Sequence, residues 1–289
     1  MSRDVSRFIR KHTSFITEMK DIVDRIYEAK QVYLYDTSAI SSHELIFHRN
    51  RNLAFLRHIQ GSPILITDTI AKELRLDEDI DRRYLEYFSA FPCILYVEEE
   101  KLLDMLEVEY EGKHAKSKYL IASERSFASI QYLREQIREA KRNFSTAEHR
   151  IISAYQSFFE ENKTNKGEFS LLWSATVIEQ LPFKTSVCFV GLDHDIYDFA
   201  ERSFFSGKNS PFASEITFLS NDALLQNCYR KGKDQIALSQ LIPLLRNENR
   251  KVRYFRKING LLNQRPQKTT IDNEEFLKLL VHDEIEVIY

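Results

Sequence analysis

The stretch that most constrains the fold is an uncharged run that ends in a carboxylate. Residues 31–35 read Gln-Val-Tyr-Leu-Tyr, and Asp36 follows directly. A short run without charge and without alternation is typical of a strand that is buried on both faces, as in a parallel sheet. Asp36 would then lie at the carboxyl end of the strand, where open α/β sheets bind their ligands. The run therefore predicts an α/β fold with a site at one edge of its sheet.

The scarcity of glycine argues against the common nucleotide-binding loops. The chain has 289 residues and only 7 glycines, and no two glycines lie close together. Loops that cradle phosphate need clustered glycines, because the backbone must approach the anion closely. A dinucleotide-binding fold and a P-loop enzyme are therefore all but excluded.

Charge and hydropathy predict a cytoplasmic protein without membrane association. The net charge is −2, so a nucleic-acid partner would need a local basic patch. No apolar run approaches the roughly 20 residues of a membrane span, and the N-terminus lacks the apolar stretch of a signal peptide. The 3 cysteines are scattered and have neither disulfide nor zinc spacing.

The rest of the chain predicts further strands and helices. Short, mostly apolar runs predict strands at 64–66, 93–97, 186–190 and 215–219. Apolar residues at three-and-four spacing predict an N-terminal helix over about 1–30. The expected α/β domain covers 31–225, with a central parallel sheet of about five strands flanked by helices and a helical insertion over about 98–165. A mainly helical C-terminal extension over 226–289 ends in an edge strand.

Four carboxylates fall where such a sheet would bring them together. Asp36 and Asp193 each follow an uncharged strand, and two glutamates, Glu73 and Glu168, lie in the first turn or two of helices that follow loops. Strand C-termini and helix N-termini share one edge of a parallel sheet. Packed acids repel one another, and hard cations with oxygen ligands relieve that repulsion. The pattern predicts a site for Mg²⁺ or Mn²⁺, with Asp195 as a further candidate ligand.

Each of these acids also has an ordinary explanation. An Asp after a strand is often only a helix cap, which would suffice for Asp36. Glu73 suits an exposed helix surface, and Glu168 suits compensation of a helix dipole. Asp193 fits a solvated loop. The hypothesis of a site rests on the fact that all four fall where the architecture needs them.

Four short motifs resemble the PIN domain. In chain order they are Tyr35-Asp-Thr-Ser38, Ile66-Thr-Asp-Thr-Ile-Ala-Lys-Glu-Leu74, Gly167-Glu-Phe-Ser-Leu-Leu172 and Phe189-Val-Gly-Leu-Asp-His-Asp195. The resemblance implies a central parallel sheet with an acidic pocket that cuts single-stranded RNA with Mg²⁺ or Mn²⁺. Many members are toxins of bacterial toxin–antitoxin pairs. Matched to the family, Asp36, Glu73, Glu168 and Asp193 are the catalytic and metal-binding acids.

Two features depart from the family pattern. The fourth motif usually has Thr or Ser two residues before its Asp, where this chain has Gly191. Ser220-Asn-Asp222 fits that local pattern better but lies farther from Glu168 than the family's spacing suggests. We prefer Asp193 as the fourth acid, with Asp222, expected as a surface acid at the sheet edge, as its rival. The inserted helices and the tail also exceed the compact toxin members.

The residues near Asp36 fit neither a phosphatase site nor a histidine metal site. A phosphatase of the haloacid dehalogenase type also begins with an Asp that ends a strand, but it needs a second Asp where Ser38 stands. His43, His48 and His58 follow Asp36 at spacings that form no metal motif. We therefore expect ordinary surface histidines.

A basic cluster at 246–257 is the candidate RNA-binding segment. Lys and Arg side chains could follow a phosphate backbone while an aromatic ring stacks on a base. The alternative is a solvated helix face with Phe255 in the core. The candidate RNA-binding residues are Arg250, Lys251, Arg253, Tyr254, Arg256 and Lys257.

Two functions from different classes follow from these patterns. The first is a metal-dependent endoribonuclease that hydrolyses phosphodiester bonds of single-stranded RNA and resembles a toxin. The second, kept open by Gly191, is a PIN-like scaffold without catalysis that binds RNA or a protein. RNA is the expected partner, and the resemblance leaves open an antitoxin, another protein partner or a homo-oligomer.

Overall fold

A six-stranded sheet, in which every neighbouring pair of strands is parallel, forms the centre of the computed structural model. Its strands are β1 (Phe15–Ile16), β2 (Gln31–Tyr35), β3 (Ile64–Thr67), β4 (Ile94–Val97), β5 (Ser186–Val190) and β6 (Ile216–Leu219). They lie side by side in the order β1-β4-β3-β2-β5-β6. The predicted α/β fold with a central parallel sheet is confirmed, and β1 adds one strand to the five expected. The residues that the structure describes are 5, 9, 10, 14–50, 56, 59, 61–76, 82–162, 164–191, 197–200 and 216–289.

The central strands are covered on both faces. All four residues of β3 and of β4 are buried, as are the last four residues of β2. Because successive side chains of a strand point to opposite faces, uninterrupted burial requires packing on both sides of the sheet. The uncharged runs of the sequence are the strands in this position.

Helices connect these strands. The first four are α1 (Met19–Glu28), α2 (Thr37–Asn50), α3 (Asp68–Glu73) and α4 (Arg83–Phe88). The described residues of the predicted insertion form helices joined by turns, namely α5 (Leu102–Glu107), α6 (Gly112–Ser126), α7 (Gln131–Arg142) and α8 (Ala147–Glu161). The next helix, α9 (Lys166–Ile178), leads to β5. Within the described ranges, no helix is long and apolar enough to cross a membrane.

The predicted N-terminal helix is interrupted by a strand. Among the described residues of this region, α1 is a continuous helix, whereas Phe15 and Ile16 pair in parallel with Ile94 and Leu95 of β4. Phe15 is buried and its ring packs edge-on against Phe88 at 5.8 Å between centroids. Pairing at the sheet edge thus buries Phe15 and partly buries Ile16, two apolar residues that helical periodicity had assigned to the helix.

The C-terminal part contains the predicted helices and, in addition, a second sheet. The helices are α10 (Asn221–Gly232), α11 (Gln235–Leu245) and α12 (Asn273–Val281). The long strand β7 (Asn249–Ile258) pairs antiparallel with β8 (Leu261–Leu262), β9 (Gln267–Asp272) and β10 (Ile285–Val287). The basic cluster therefore lies mainly on a strand, and its alternative interpretation as a solvated helix face is wrong. The expected edge strand near the end of the chain is β10.

A candidate acidic active site at the carboxyl edge of the sheet

Asp36 lies at the end of β2, in the middle of the sheet. Its amide donates a hydrogen bond to the carbonyl oxygen of Val190, the last residue of β5, at 2.8 Å. Its own Oδ2 accepts hydrogen bonds from the amide of Ser38, at 3.2 Å, and from the Ser38 hydroxyl. Asp36 therefore caps α2, as the ordinary explanation requires. It is nevertheless only 7% exposed, so this carboxylate is held against the packed edge.

Glu73, at the end of α3, reaches the start of α2. The hydroxyl of Thr37 donates a hydrogen bond to Glu73 Oε2. Burial raises the pKa of Glu73, the Thr37 hydrogen bond opposes this shift, and the nearby charge of Asp36 adds to it. The residue as a whole keeps an exposed surface, but its carboxyl end faces the packed edge. Asp36 and Glu73 thus share one electrostatic environment.

Gly167, in the first turn of α9, packs directly on the Glu73 carboxylate. A Cβ atom at this position would lie 3.1 Å from Glu73 Oε2, 3.2 Å from Oε1 and 3.1 Å from Cδ1 of Ile70. Glycine lets the backbone of α9 approach the carboxylate this closely without displacing it. Glu168, the next residue along α9, is partly buried.

The last two candidate ligands, Asp193 and Asp195, lie outside the described residues. The strand they follow, β5, is the direct neighbour of β2, and Val190 is bonded to the amide of Asp36. The chain thus leaves the sheet beside the first acid. Within the described part of the chain, no three His, Cys, Asp or Glu side chains form a group that could hold a metal ion.

The chemistry of the described acids fits a hard cation. Asp36, Glu73 and Glu168 offer carboxylate oxygens, which are the ligands that Mg²⁺ and Mn²⁺ prefer. The raised pKa of Glu73 shows that negative charge at this edge is destabilised by burial and by Asp36. A bound cation would relieve that repulsion.

Asp222, the rival fourth acid, is fully buried in an ion-pair cluster. Its Oδ1 lies 2.5 Å from Arg246 Nε, and its Oδ2 lies 2.7 Å from Arg250 Nε. The preceding strand, β6, is the outer strand of the sheet, beyond β5. The expectation of a surface acid is therefore wrong, because two arginines from later in the chain enclose Asp222. This carboxylate neutralises arginines in the C-terminal part.

A fifth acid at the edge, Glu99, was missed by the sequence analysis. It follows β4 and is 6% exposed. Its Oε1 accepts hydrogen bonds from the amide of Thr69, at 3.0 Å, and from the hydroxyl of Ser170, at 2.5 Å. The signal in the sequence was an acid soon after an uncharged strand. Glu98 and Glu100 flank Glu99, so this charged segment has the composition of a solvated surface and the signal was not recognised.

His43, expected at the surface, lies in the core of the protein. The Tyr35 hydroxyl contacts its Nδ1, and its Nε2 lies 2.7 Å from Asn221 Oδ1. The Asn221 amide nitrogen donates to the carbonyl oxygen of Leu245, so the amide oxygen faces the ring and Nε2 carries the proton. This chain of hydrogen bonds links β2 to α10 and α11. His48 is partly buried, and His58 lies outside the described residues.

We expect His43 to make the protein less stable in mild acid. Burial lowers its pKa to about 4, from an ordinary value of 6.5 in the unfolded chain. Between these values the unfolded state binds a proton that the native state does not, so the free energy of unfolding falls as the pH falls. The difference between the two pKa values corresponds to about 3 kcal/mol of unfolding free energy. This contribution is fully present near pH 7 and is lost by about pH 4.

The His43→Gln variant isolates this contribution, because glutamine does not titrate. Urea unfolding of both proteins between pH 7 and pH 4 gives the difference in unfolding free energy at each pH. That difference should shrink as the pH falls, since the parent alone loses the histidine contribution. A constant difference across the range would contradict the burial of a neutral imidazole.

Most of the candidate RNA-binding residues are engaged within the protein. Acidic side chains lie near four of them, with separations of 2.7 Å for Arg250–Asp222, 3.8 Å for Arg253–Asp198, 3.5 Å for Arg256–Glu284 and 2.6 Å for Lys257–Asp283. Lys251 is exposed. Tyr254 is buried, with its hydroxyl 3.1 Å from Thr269 Oγ1, so its ring cannot stack on a base. We withdraw Tyr254 from the candidate RNA-binding residues. Four of the five remaining basic candidates lie near an acidic side chain of the protein itself.

Comparison with known proteins found no match for this chain among family models, curated proteins or solved structures. Membership of the PIN family therefore stays a prediction, carried by the four sequence motifs.

Proposed function

We propose that the protein is a metal-dependent endoribonuclease that hydrolyses phosphodiester bonds of single-stranded RNA with Mg²⁺ or Mn²⁺. One observation carries the proposal: Asp36 and Glu73 share the carboxyl edge of a parallel sheet, and Gly167 lets α9 approach Glu73. Neighbouring acids destabilise one another, and a bound cation would relieve that repulsion.

The side chains at the edge have separate roles in this proposal. Asp36, Glu73 and Glu168, with the predicted Asp193 and Asp195, would hold the cation through carboxylate oxygens. When bound, the cation supplies a water of lowered pKa and neutralises charge on the phosphate. Ser38 holds the carboxylate of Asp36, and Thr37 holds that of Glu73.

Lys166, the first residue of α9, is a basic group near Glu73. Its positive charge acts on Glu73, where it lowers the pKa against the effect of burial. A lysine beside the acids could pair with an RNA phosphate next to the bond that is cut. The choice of RNA, a cytoplasmic location and an antitoxin or second copy as partner come from the family resemblance and are part of the proposal.

The test is cleavage of a labelled single-stranded RNA by the purified protein with Mn²⁺, Mg²⁺ or EDTA. We expect cleavage with either metal and none with EDTA. A matching single-stranded DNA tests the choice of substrate. Binding of the RNA without cleavage in any metal would favour the scaffold without catalysis.

Gly167→Ala tests the geometry without removing an acid. The added methyl group would lie 3.1 Å from Glu73 Oε2, so the carboxylate or α9 must shift by a few tenths of an ångström. A displacement of about 1 Å at a catalytic group can lower the rate by about 100-fold, so we expect this smaller shift to lower the rate by roughly 10-fold. Gly232→Ala, at the end of α10 with no atom within 4 Å of the new Cβ, is the matched control. Equal rates in the two variants would contradict the role assigned to Gly167.

A further inference from the structure

Glu99 connects the two helices that carry the catalytic glutamates. One of its carboxyl oxygens accepts hydrogen bonds from the amide of Thr69 in α3, at 3.0 Å, and from the hydroxyl of Ser170 in α9, at 2.5 Å. Glu73 lies on α3 and Glu168 on α9. A single buried oxygen is therefore bonded to both supports of the acidic edge.

A second contact ties the same helices together. Ser170 Oγ lies 2.5 Å from Thr67 Oγ1, and Thr67 caps α3 by accepting a hydrogen bond from the amide of Ile70 at 3.4 Å. The start of α3 is thus bonded to α9 through Ser170 and to the segment after β4 through Glu99. These hydrogen bonds are directional, so they fix the separation of α3 and α9 more narrowly than apolar packing does by itself.

The surroundings of this cluster exclude water. Glu99, Ser170 and Thr67 are all buried, and so is Tyr155 of α8. Burial raises the pKa of Tyr155, and the charge of Glu99 adds to that shift. Hydrogen bonds without competing water hold their partners more firmly, and losing one leaves a buried polar group unsatisfied.

We propose that Glu99 is a positioning residue for the metal ligands, an inference that rests on the proposed function. Its carboxyl oxygen ties α3 to α9, and the proposed site needs Glu73 and Glu168, one on each helix, to bind the same cation. Groups that orient metal ligands typically change metal affinity by about 10- to 100-fold when they are lost. Glu99 acts through Thr69 and Ser170 and need not touch the cation.

Two substitutions separate this role from others. Glu99→Gln keeps an acceptor oxygen for both donors, and Glu99→Met keeps the length of the side chain without an acceptor. The measurement is the half-saturating Mn²⁺ concentration of the RNA-free protein, by calorimetry and by the metal-induced rise in melting temperature. We expect Glu99→Met to bind Mn²⁺ about 10- to 100-fold more weakly and Glu99→Gln to bind close to the parent.

Ser170→Ala removes the α9 side of the bridge and serves if Glu99→Met does not fold. It should also weaken Mn²⁺ binding, and unchanged binding would contradict the inference. Glu100→Gln, an exposed neighbour, controls for the loss of one negative charge and should bind like the parent. If Glu99→Gln binds as weakly as Glu99→Met, Glu99 is itself a ligand and the positioning role is overturned. The role also falls if Glu99→Met melts earlier but binds Mn²⁺ normally.

The parent and Asp36→Asn distinguish this inference from the proposed function. If the parent binds no Mn²⁺, or if Asp36→Asn binds it equally well, the proposed metal site fails and the inference fails with it. If the parent binds Mn²⁺ and Asp36→Asn does not, the site stands and only the contribution of Glu99 is being tested.

Discussion

Asp36→Asn is expected to lose RNA cleavage by about 100-fold or more while keeping the parent fold. The asparagine oxygen can still accept the two hydrogen bonds from Ser38, so the start of α2 is retained. The change removes the charge that helps to raise the pKa of Glu73, so that pKa should fall towards its ordinary value. Without metal, the variant should melt at or above the temperature of the parent.

Two measurements on the same preparations check this expectation. Cleavage of labelled single-stranded RNA in Mn²⁺ gives the rate, and thermal melting with and without Mn²⁺ shows whether the metal stabilises each protein. A ligand that binds only the folded state raises the melting temperature, so the parent should shift and the variant should not. Asp104→Asn, an exposed acid on α5, is the control and should match the parent. An Asp36→Asn variant that cuts RNA at the parent rate would falsify the assignment of Asp36.

Asp222→Ala is expected to lower the free energy of unfolding by about 3–5 kcal/mol, the usual cost of leaving buried charges without their partner. Asp222 and Arg246 are both fully buried, and their atoms lie 2.5 Å apart. Burial lowers the pKa of Arg246, and the charge and hydrogen bond of Asp222 are the strongest effects that oppose this shift. Arg246 also contacts Asn273, the Ile271 carbonyl and the Phe276 ring, but these groups are neutral and cannot replace a carboxylate.

Urea unfolding at neutral pH measures this loss. Glu286→Ala is the control, because it breaks an ion pair with Arg230 that is partly exposed. It should lower the free energy of unfolding by less than about 1 kcal/mol. Replacing both members of the buried pair, with Asp222→Leu and Arg246→Met together, should restore part of the stability because no charge is left unpaired. A small effect of Asp222→Ala would contradict the buried pair. The Asp222→Ala protein that remains folded should still cleave RNA. A loss of activity that only follows the loss of folded protein would therefore not identify Asp222 as a metal ligand.

The central sheet could be predicted from the sequence, because its strands are uncharged over most of their length. A strand buried on both faces needs apolar or neutral side chains at every position, and this requirement is visible without any partner. The placement of Asp36 at this edge follows from the rule that strand ends and helix starts meet there, and Glu73 stays near it because α3 is only 6 residues long. Gly167-Glu168 was found as a motif, and the close approach to Glu73 is the physical reason for its glycine.

The C-terminal sheet was not predicted, since β7 is rich in Arg and Lys. Its extended form depends on pairing with β9 and β10, whose residues come later in the chain. One local signal was present: Asn259 and Gly260 both adopt positive φ, 52° and 77°, in the tight turn between β7 and β8. An Asn-Gly pair between two strands is the strongest short-range indication of a hairpin.

Burial of the polar residues was decided by the tertiary structure alone. The composition of a segment shows that a side chain is hydrophilic, but its exposure depends on partners that distant segments supply. His43 meets Asn221 at a separation of 178 residues, Glu99 meets Ser170 at 71 and Asp222 meets Arg246 at 24. A buried polar group is stable only when such partners satisfy it, so the sequence determined which acids could reach the sheet edge, and the fold determined which of them are enclosed.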